Sequence, residues 1–226
     1  MNALDYPQRC PAARRGFTLA ELILALATTA MVATAVAAMS VALSNAGQSS
    51  RDQQLCMQEA RVAMRQLEDV TRKAKLITAC DSRRVALWMS DANNDGQINM
   101  TEMGVIEWNS ASGEVRLYRI VYPASWGQWL QTYMDYTVDL FYFVGINNAT
   151  ANVTSSYYAQ STLLASNVSS FKVSPSPAPP ASNLLSIEMT LGSGAETTTL
   201  RTAVQIRGDK TASVYSYGGL YYLAAP

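Results

Sequence analysis

The stretch Arg14-Arg15-Gly16-Phe17-Thr18-Leu19-Ala20-Glu21-Leu22-Ile23 decides how the rest of the chain is organised. A short basic head ends at Gly16, and an apolar tract that contains a single carboxylate, Glu21, then occupies residues 17–43. An apolar helix of about 20 residues is long enough to cross a bilayer, so this tract predicts a membrane span. Burying a lone carboxylate in hydrocarbon is costly, and Glu21 is therefore a candidate functional residue.

The residues before the tract have the charge and the order of a leader peptide. Residues 1–16 carry three arginines against one aspartate, which predicts that this end stays in the cytoplasm. In an ordinary secretory signal the small-residue cleavage site follows the apolar run, whereas Gly16 precedes it here. We interpret residues 1–16 as a leader and residues 17–46 as the transmembrane half of a long helix.

Residues 47–80 are predicted to continue that helix as an amphipathic half. Apolar side chains recur at steps of three and four, which is the period of one helical face: Cys56, Ala60, Ala63, Met64, Leu67, Val70, Ala74 and Ile77. Cys56 and Cys80 would then lie about 36 Å apart on one helix, too far for a disulfide, so both are expected to be free thiols.

The remaining residues, 81–226, are predicted to form a β-rich globular domain. Short β-branched or alternating runs bounded by turn residues predict strands at 84–89, 104–108, 115–121, 139–144, 184–191 and 197–206. Residues 127–136 suit a short helix. The aromatic region 123–165 is interpreted as core filling, with a partner surface as the alternative. The expected fold class is α+β, a long N-terminal helix packed on an antiparallel sheet domain.

Composition excludes several classes of function. The 226-residue chain has 17 basic and 17 acidic residues, and no basic patch that suggests nucleic-acid binding. It has no histidine, so Ser-His-Asp, Cys-His and histidine–zinc sites are excluded. Its three cysteines have no zinc-site spacing. We do not expect an enzyme.

Residues 91–102 have the spacing of the twelve-residue EF-type calcium loop. Oxygen donors occur at alternate positions, Gly96 permits the sharp turn, and Ile98 is the apolar plug. The candidate ligands are Asp91, Asn93, Asp95, the backbone carbonyl of Gln97, Asn99 and Glu102. The flanks do not resemble an EF-hand, because a predicted strand precedes the loop. A turn without an ion is the alternative, since Asn, Asp and Gly favour turns unaided.

The N-terminal motif resembles the cleavage signal of type IV pilins and type II secretion pseudopilins. The resemblance rests on the basic head, Gly16, the aromatic Phe17 and the carboxylate Glu21 at the fifth position, followed by an apolar helix. It implies that a prepilin peptidase cuts between Gly16 and Phe17 and that the new amino group of Phe17 is methylated. It also implies that Glu21 faces the amino terminus of a neighbouring subunit during assembly.

The same resemblance implies a pilin-like fold. The segments 163–173 and 204–207 look like the close of larger minor pilins of the W and J types. The apolar helix lacks the proline that many major pilins have there, which favours a minor component.

Two functions are compatible with these features. The first is a minor pilin or pseudopilin, anchored in the bacterial inner membrane by a single pass and assembled with other subunits into a type IV pilus or a secretion pseudopilus, its C-terminal domain in the periplasm or in an extracellular fibre. The second is a membrane-tethered extracytoplasmic module that binds a ligand in a calcium-dependent way outside any fibre. In both, calcium would order the domain.

Overall fold

The computed structural model describes residues 16–138, 145–193, 196–207, 214–217 and 220–223. The chain divides into two compact units, one ending at Ser50 and the other beginning at Arg51. A single helix, α1, spans Leu19–Lys73 and contributes to both units.

The first unit is the apolar part of α1. Every described residue from Gly16 to Ser50 is exposed. The hydroxyl groups on this part donate to backbone carbonyls about one turn earlier at 2.7–3.0 Å, as seen for Thr28, Thr29, Thr34 and Ser40. Such bonds satisfy hydroxyl groups within the helix, as an apolar surrounding requires. By length and composition α1 is the one helix in the described part of the chain that could cross a membrane.

In the second unit α1 buries one face. The buried residues follow the predicted stripe: Cys56, Ala60, Ala63, Met64 and Leu67. They lie in one hydrophobic core with residues of two β-sheets, among them Leu87 and Ile187. Leu67 is fully buried, and burial of a leucine side chain stabilises a fold by about 1.5–3 kcal/mol. The predicted packing of a long helix on antiparallel sheets is confirmed for this part.

The helix ends at Lys73, so the prediction that it continues to residue 80 was wrong. The backbone N–H of Lys75 already donates to the carbonyl of Trp88 at 2.7 Å, and strand β1 follows at Leu76–Cys80. The apolar spacing that ends at Ile77 fits a strand as well as a helix over so short a run, and the β-branched residues there favour the strand.

Cys80 therefore lies on a strand and not on the helix of Cys56. Both thiols are free, as predicted, although the geometric reason given for it was wrong. Burial, with a further contribution from the nearby Asp81 carboxylate, raises the pKa of Cys80 to about 12. A thiol with such a pKa stays protonated and is a poor nucleophile. Cys10 lies outside the described residues.

The first sheet is a five-stranded antiparallel meander in the order β1-β2-β3-β4-β5. After β1 its strands are β2 (Arg84–Trp88), β3 (Met103–Asn109), β4 (Glu114–Ile120) and β5 (Ala159–Ala165). The three strands predicted between residues 84 and 121 are thus confirmed to within one residue at each end. A short 3-10 turn, Met100–Glu102, leads directly into β3.

A second sheet has the order β6-β7-β8 and a third pairs β9 with β10. The strands are β6 (Val168–Ser176), β7 (Leu184–Ser193), β8 (Glu196–Gln205), β9 (Val214–Tyr217) and β10 (Leu220–Leu223). The long β7–β8 hairpin was predicted. Two short helices are described, α2 (Gln128–Met134), which was also predicted, and α3 (Ile146–Thr154). The strand predicted at 139–144 lies outside the described residues.

The five-stranded sheet is covered on both faces. One face shares the core of α1 and the second sheet. The other face lies in a separate core with α3 and with the loop that precedes the 3-10 turn, through residues such as Trp88, Val105, Ile98 and Ala149. Ile98, the predicted apolar plug of the loop, is fully buried in this second core. The loop is therefore part of the packing of the domain.

The aromatic side chains of α2 are at the surface. Trp129, Tyr133 and Tyr136 are 74%, 78% and 57% exposed, so the prediction that this region fills the core was wrong for them. The helix carrying the first two buries none of its residues. The alternative interpretation, a partner surface, is the one that their exposure favours.

The turn between β1 and β2 is held by the carboxylate of Asp81. Its Oδ1 accepts the backbone N–H groups of Arg83 and Arg84 at 2.7 Å, and its Oδ2 accepts Nε and Nη2 of Arg84 at 2.9 and 2.6 Å. Burial alone would raise the pKa of Asp81, but these hydrogen bonds outweigh it and lower the pKa below its usual value.

We expect Asp81→Asn to lower the free energy of unfolding by about 1–2 kcal/mol at neutral pH, because charge-assisted bonds to Arg84 are lost. A lowered folded-state pKa stabilises the fold above the unfolded pKa, and this contribution disappears as the pH falls through the folded pKa. Thermal unfolding of variant and wild type should therefore converge below about pH 4. Asp52→Asn, on the exposed side of α1, is the matched control. A difference that grows on acidification would contradict the assignment.

Candidate functional sites

The motif at the amino-terminal end of α1 is accessible. Phe17 is 87% exposed, and apart from the glycine's chain neighbours no atom of the described residues lies within 4 Å of the position that a Cβ on Gly16 would take. Both residues precede the first helical residue, Leu19, so the peptide bond between them is in non-helical backbone. An exposed, non-helical bond of this kind is open to a peptidase. Residues 1–15 lie outside the described part of the chain.

Glu21 and Thr18 form a reciprocal cap on the first turn of α1. The Thr18 N–H and Oγ1–H both donate to Glu21 Oε2 at 3.0 Å, and the Glu21 N–H donates to Thr18 Oγ1 at 3.3 Å. This is a capping box, which satisfies backbone donors that a helix start leaves free. The pattern Thr-x-x-Glu signals it in the sequence, but sequence reasoning assigned Glu21 to assembly alone.

The candidate calcium loop, residues 91–102, connects β2 to β3 through a sharp turn. Two residues adopt positive φ, Asn94 at 58° and Gly96 at 72°, and these are the residue types that tolerate it. The N–H of Gly96 donates to Asp91 Oδ1 at 3.3 Å across the turn. The loop thus has the fold-back that the spacing predicts.

Asp95 gathers three of the predicted ligand residues. Its Oδ2 accepts the side-chain amides of Asn93 at 2.7 Å and Asn99 at 3.3 Å, and its Oδ1 accepts the N–H of Gln97 at 2.7 Å. Slight burial raises the pKa of Asp95, but these hydrogen bonds dominate and lower it. The carboxylate therefore stays ionised at neutral pH, which is the form that binds a cation.

Glu102 closes the loop from inside the domain and is only 3% exposed. Its Oε1 accepts the N–H of Ala92 at 2.6 Å, and its Oε2 accepts Trp88 Nε1–H at 3.0 Å and the N–H of Asn99 at 3.3 Å. Burial raises the pKa of Glu102 and the neighbouring Asp91 carboxylate raises it further, against the opposing effect of the three donors. An ionised Glu102 is thus destabilised where it lies, and a positive charge nearby would relieve it.

The charges of the loop leave an excess that suits a divalent cation. The loop has three carboxylates, on Asp91, Asp95 and Glu102. Among the described residues only Asp91 has an ion-pair partner, because Lys75 Nζ lies 3.5 Å from its Oδ2. Two negative charges remain when all three carboxylates are ionised, and the donors are hard oxygens of the kind calcium prefers.

The carboxylates are not gathered into one cluster. Within the described part of the chain, no group of three or more acidic, cysteine or histidine side chains is positioned to hold a metal ion. Half of the proposed donors are amide or backbone oxygens, and the Glu102 oxygens are turned to Trp88 and to backbone N–H groups. The residues fit calcium by donor type and charge, provided that Glu102 exchanges some of these bonds for the ion.

Hydrogen bonds and a β-bridge join the loop to the residues that follow α2. Thr101 donates through its N–H and Oγ1–H to Asp135 at 2.9 and 2.6 Å. The N–H of Val138 donates to the carbonyl of Ile98 at 2.6 Å, and Asn99 forms a β-bridge with Thr137. Sequence reasoning missed Asp135 because its partner lies 34 positions earlier in the chain, and no local pattern marks the pair.

No protein-family model, curated protein or solved structure matches this chain. The N-terminal motif, the exposed apolar helix and the loop at residues 91–102 are the features of the chain that bear on its function.

Proposed function

We propose that this chain is a minor pilin or pseudopilin, cut by a prepilin peptidase between Gly16 and Phe17 and assembled through α1 into a type IV pilus or a secretion pseudopilus. The observation that carries the proposal is the junction at Gly16-Phe17, which is exposed and non-helical and stands directly before an uncovered apolar helix with one carboxylate. A plain membrane anchor explains the helix but not that junction.

The exposed first part of α1 supports assembly as well as anchoring. Large apolar side chains there are more than half exposed, including Leu22, Ile23 and Val32, so they need lipid or neighbouring helices around them. Small residues interleave with them at Ala25, Ala33 and Ala37, and small residues let helices approach closely. Lipid would cover this apolar surface of α1 while the chain spans the inner membrane. The helices of other subunits would cover it after assembly.

Glu21 supplies the charge that such packing would use. A carboxylate in an apolar surrounding costs several kcal/mol unless it is paired. Cleavage before Phe17 would create an amino group four residues away, which has the same difficulty. Staggered helices that place the Glu21 carboxylate of one subunit against the amino terminus of the next would neutralise both.

The loop at residues 91–102 is proposed to bind Ca²⁺ as a structural ion. Asp91, Asn93, Asp95, Asn99 and Glu102 would supply side-chain oxygens, and Gln97 its backbone carbonyl. The ion would supply positive charge beside the buried Glu102 carboxylate, and the domain would gain stability on reaching a calcium-rich compartment. Extracellular calcium sites need only modest affinity, with dissociation constants of about 10⁻⁴–10⁻³ M.

A second candidate function is favoured by one observation. The capping box satisfies Glu21 within its own helix, so this carboxylate has a role in an isolated chain. A membrane-tethered, calcium-dependent binding module outside any fibre is the function that would remain if capping were its only role.

Mass spectrometry of the mature amino terminus separates the two functions. In a host with a prepilin peptidase we expect the chain to begin at Phe17 and to carry one N-methyl group. The same host without the peptidase is the control and should retain residues 1–16. An uncut amino terminus in the peptidase-positive host, or cleavage after the apolar tract, would overturn the fibre proposal.

A further inference from the structure

A cleft of about 340 Å³ opens beside α3 on the second unit. Tyrosine rings and small polar side chains line it, among them Tyr136, Tyr157, Tyr158, Asn152 and Ser155. Its volume is at the lower end of the range for small-molecule sites. Met100 of the candidate calcium loop lines the cleft, but neither the proposed ligands of that loop nor the N-terminal motif does, and nothing in the proposed function uses the cleft.

Two of the rings that line the cleft are exposed to solvent. Tyr157 is 92% exposed and Tyr136 is 57% exposed, whereas Tyr122 and Tyr158 are half-buried. Tyr158 is set at 88° to Tyr157 and at 71° to Tyr122, with ring centroids 5.1 and 5.4 Å apart. Adjacent rings therefore stand as walls at right angles.

The polar groups of the cleft are neutral, and several of them are available. None of the described residues that line it carries a charged side chain. The hydroxyls of Tyr122 and Ser156 are already used, by the Met134 carbonyl and the Tyr158 N–H. In the part of the chain that the structure describes, the side-chain hydroxyls of Ser155, Tyr136 and Tyr157 make no hydrogen bond, and Asn152 uses only its amide N–H, towards the Asn148 carbonyl at 3.0 Å. Asp135, which lies between the lining residues Met134 and Tyr136 in the sequence, has both oxygens occupied by Thr101.

We propose that this cleft is a binding site for a neutral saccharide. A sugar ring has an apolar C–H face that packs on an aromatic ring and a rim of hydroxyl groups that both donate and accept hydrogen bonds. Tyr157 and Tyr136 would offer the ring faces, and Asn152 and Ser155 would bond the hydroxyls. The proposal stands on the cleft alone and does not depend on the fibre function.

The lining disfavours two other ligand classes. A charged saccharide would enter with its carboxylate or sulfate groups unpaired, because no cationic side chain is among the described residues that line the site. A proline-rich peptide binds aromatic-lined grooves as a polyproline II helix. That helix fits between aromatic rings that run parallel along a groove better than it fits the perpendicular rings of this cleft.

The test uses the full-length protein in lipid nanodiscs, since maltoside detergents would themselves compete. Neutral hexasaccharides of cellulose, chitin and amylose are the probes, titrated to about 10 mM to cover the millimolar range. An acidic oligogalacturonide and a proline-rich peptide copying residues 174–182 are titrated in parallel. We expect saturable binding of at least one neutral hexasaccharide, and of neither comparison probe.

Variants locate the site. Tyr157→Ala should weaken binding about tenfold, the equivalent of one lost aromatic contact, while Tyr157→Phe should keep most of the affinity because the ring remains. Tyr133→Ala removes another largely exposed tyrosine, one that does not line the cleft, and should leave the affinity unchanged. Unchanged melting temperatures would show that all three variants are folded.

Four results would overturn the proposal. They are no binding of any neutral hexasaccharide, tighter binding of the acidic probe, binding of the peptide alone, and equal weakening by Tyr157→Ala and Tyr133→Ala. The last result would indicate general surface adhesion.

Discussion

Replacing Glu102 by alanine is expected to lower the melting temperature of the domain by about 5–15 °C. The carboxylate is buried, and removing it leaves three donors without an acceptor: Trp88 Nε1–H, the Ala92 N–H and the Asn99 N–H. Each unsatisfied buried donor costs about 1–3 kcal/mol, and water entering the vacated space would recover part of it, which leaves about 2–5 kcal/mol in total. Thermal unfolding in the presence of a chelator measures this directly.

Glu102→Gln is the matched control for the calcium role. It keeps the shape of the side chain and one acceptor oxygen while it removes a charge that is destabilised by burial, so its stability without calcium should lie within about 1–2 kcal/mol of wild type. Wild type should gain about 1.4–2.7 kcal/mol at calcium concentrations 10 to 100 times the dissociation constant. Neither variant should gain stability.

Measurements with calcium test the metal site, and measurements in chelator test the hydrogen-bond network of Glu102. A wild-type melting temperature that does not respond to calcium would retire the metal site while leaving the hydrogen-bond network intact. A Glu102→Ala variant as stable as wild type in chelator would contradict the network itself. A calcium response that survives in Glu102→Gln would move the site away from this residue.

The order of elements could be predicted from sequence because local patterns encode it. The stripe from Cys56 to Leu67 has the helical period, and the strands of the meander and of the β7–β8 hairpin alternate or carry β-branched residues between turn residues. The end of α1 could not be placed, because one apolar spacing served both the last helical turn and the strand that pairs with β2. The strand is settled by its pairing with β2 across the short turn at residues 81–83, which the apolar spacing alone does not reveal.

For the candidate calcium loop too, the sequence pattern predicted residue positions but not the contacts that hold them. Spacing predicted six candidate donor positions, and it predicted the apolar Ile98, which is buried. It did not reveal that Trp88 and two backbone N–H groups already hold Glu102, or that Thr101 ties the loop to Asp135. Trp88 lies 14 positions from Glu102 and Thr101 lies 34 positions from Asp135, so no local pattern marks these two contacts. The exposed tyrosines were predicted to be in the core because aromatic residues are common there, and only the structure shows that they lie at the surface.

Glu21 is the residue whose replacement should affect function most strongly if the chain assembles into a fibre. We expect Glu21→Ala and Glu21→Gln to be cut and methylated normally, to remain in the membrane, and to be lost from sheared fibres by a factor of about a hundred or more. Removing one partner of a buried charge pair costs about 3–5 kcal/mol, which corresponds to that factor. The measurement is the ratio of fibre-associated to membrane-associated protein.

Glu21→Ala and Glu21→Gln together distinguish the two roles of Glu21, which are helix capping and charge pairing. Glutamine preserves the capping box with Thr18 but carries no charge, whereas alanine removes both. Thr18→Ala is the reverse case, because it weakens the cap at a cost of about 0.5–2 kcal/mol and leaves the carboxylate. If the charge pairs with a neighbouring amino terminus, glutamine behaves like alanine and Thr18→Ala still assembles. If capping is the whole role, glutamine behaves like wild type and Thr18→Ala shares the defect of alanine, and the chain is then better described as a tethered binding module.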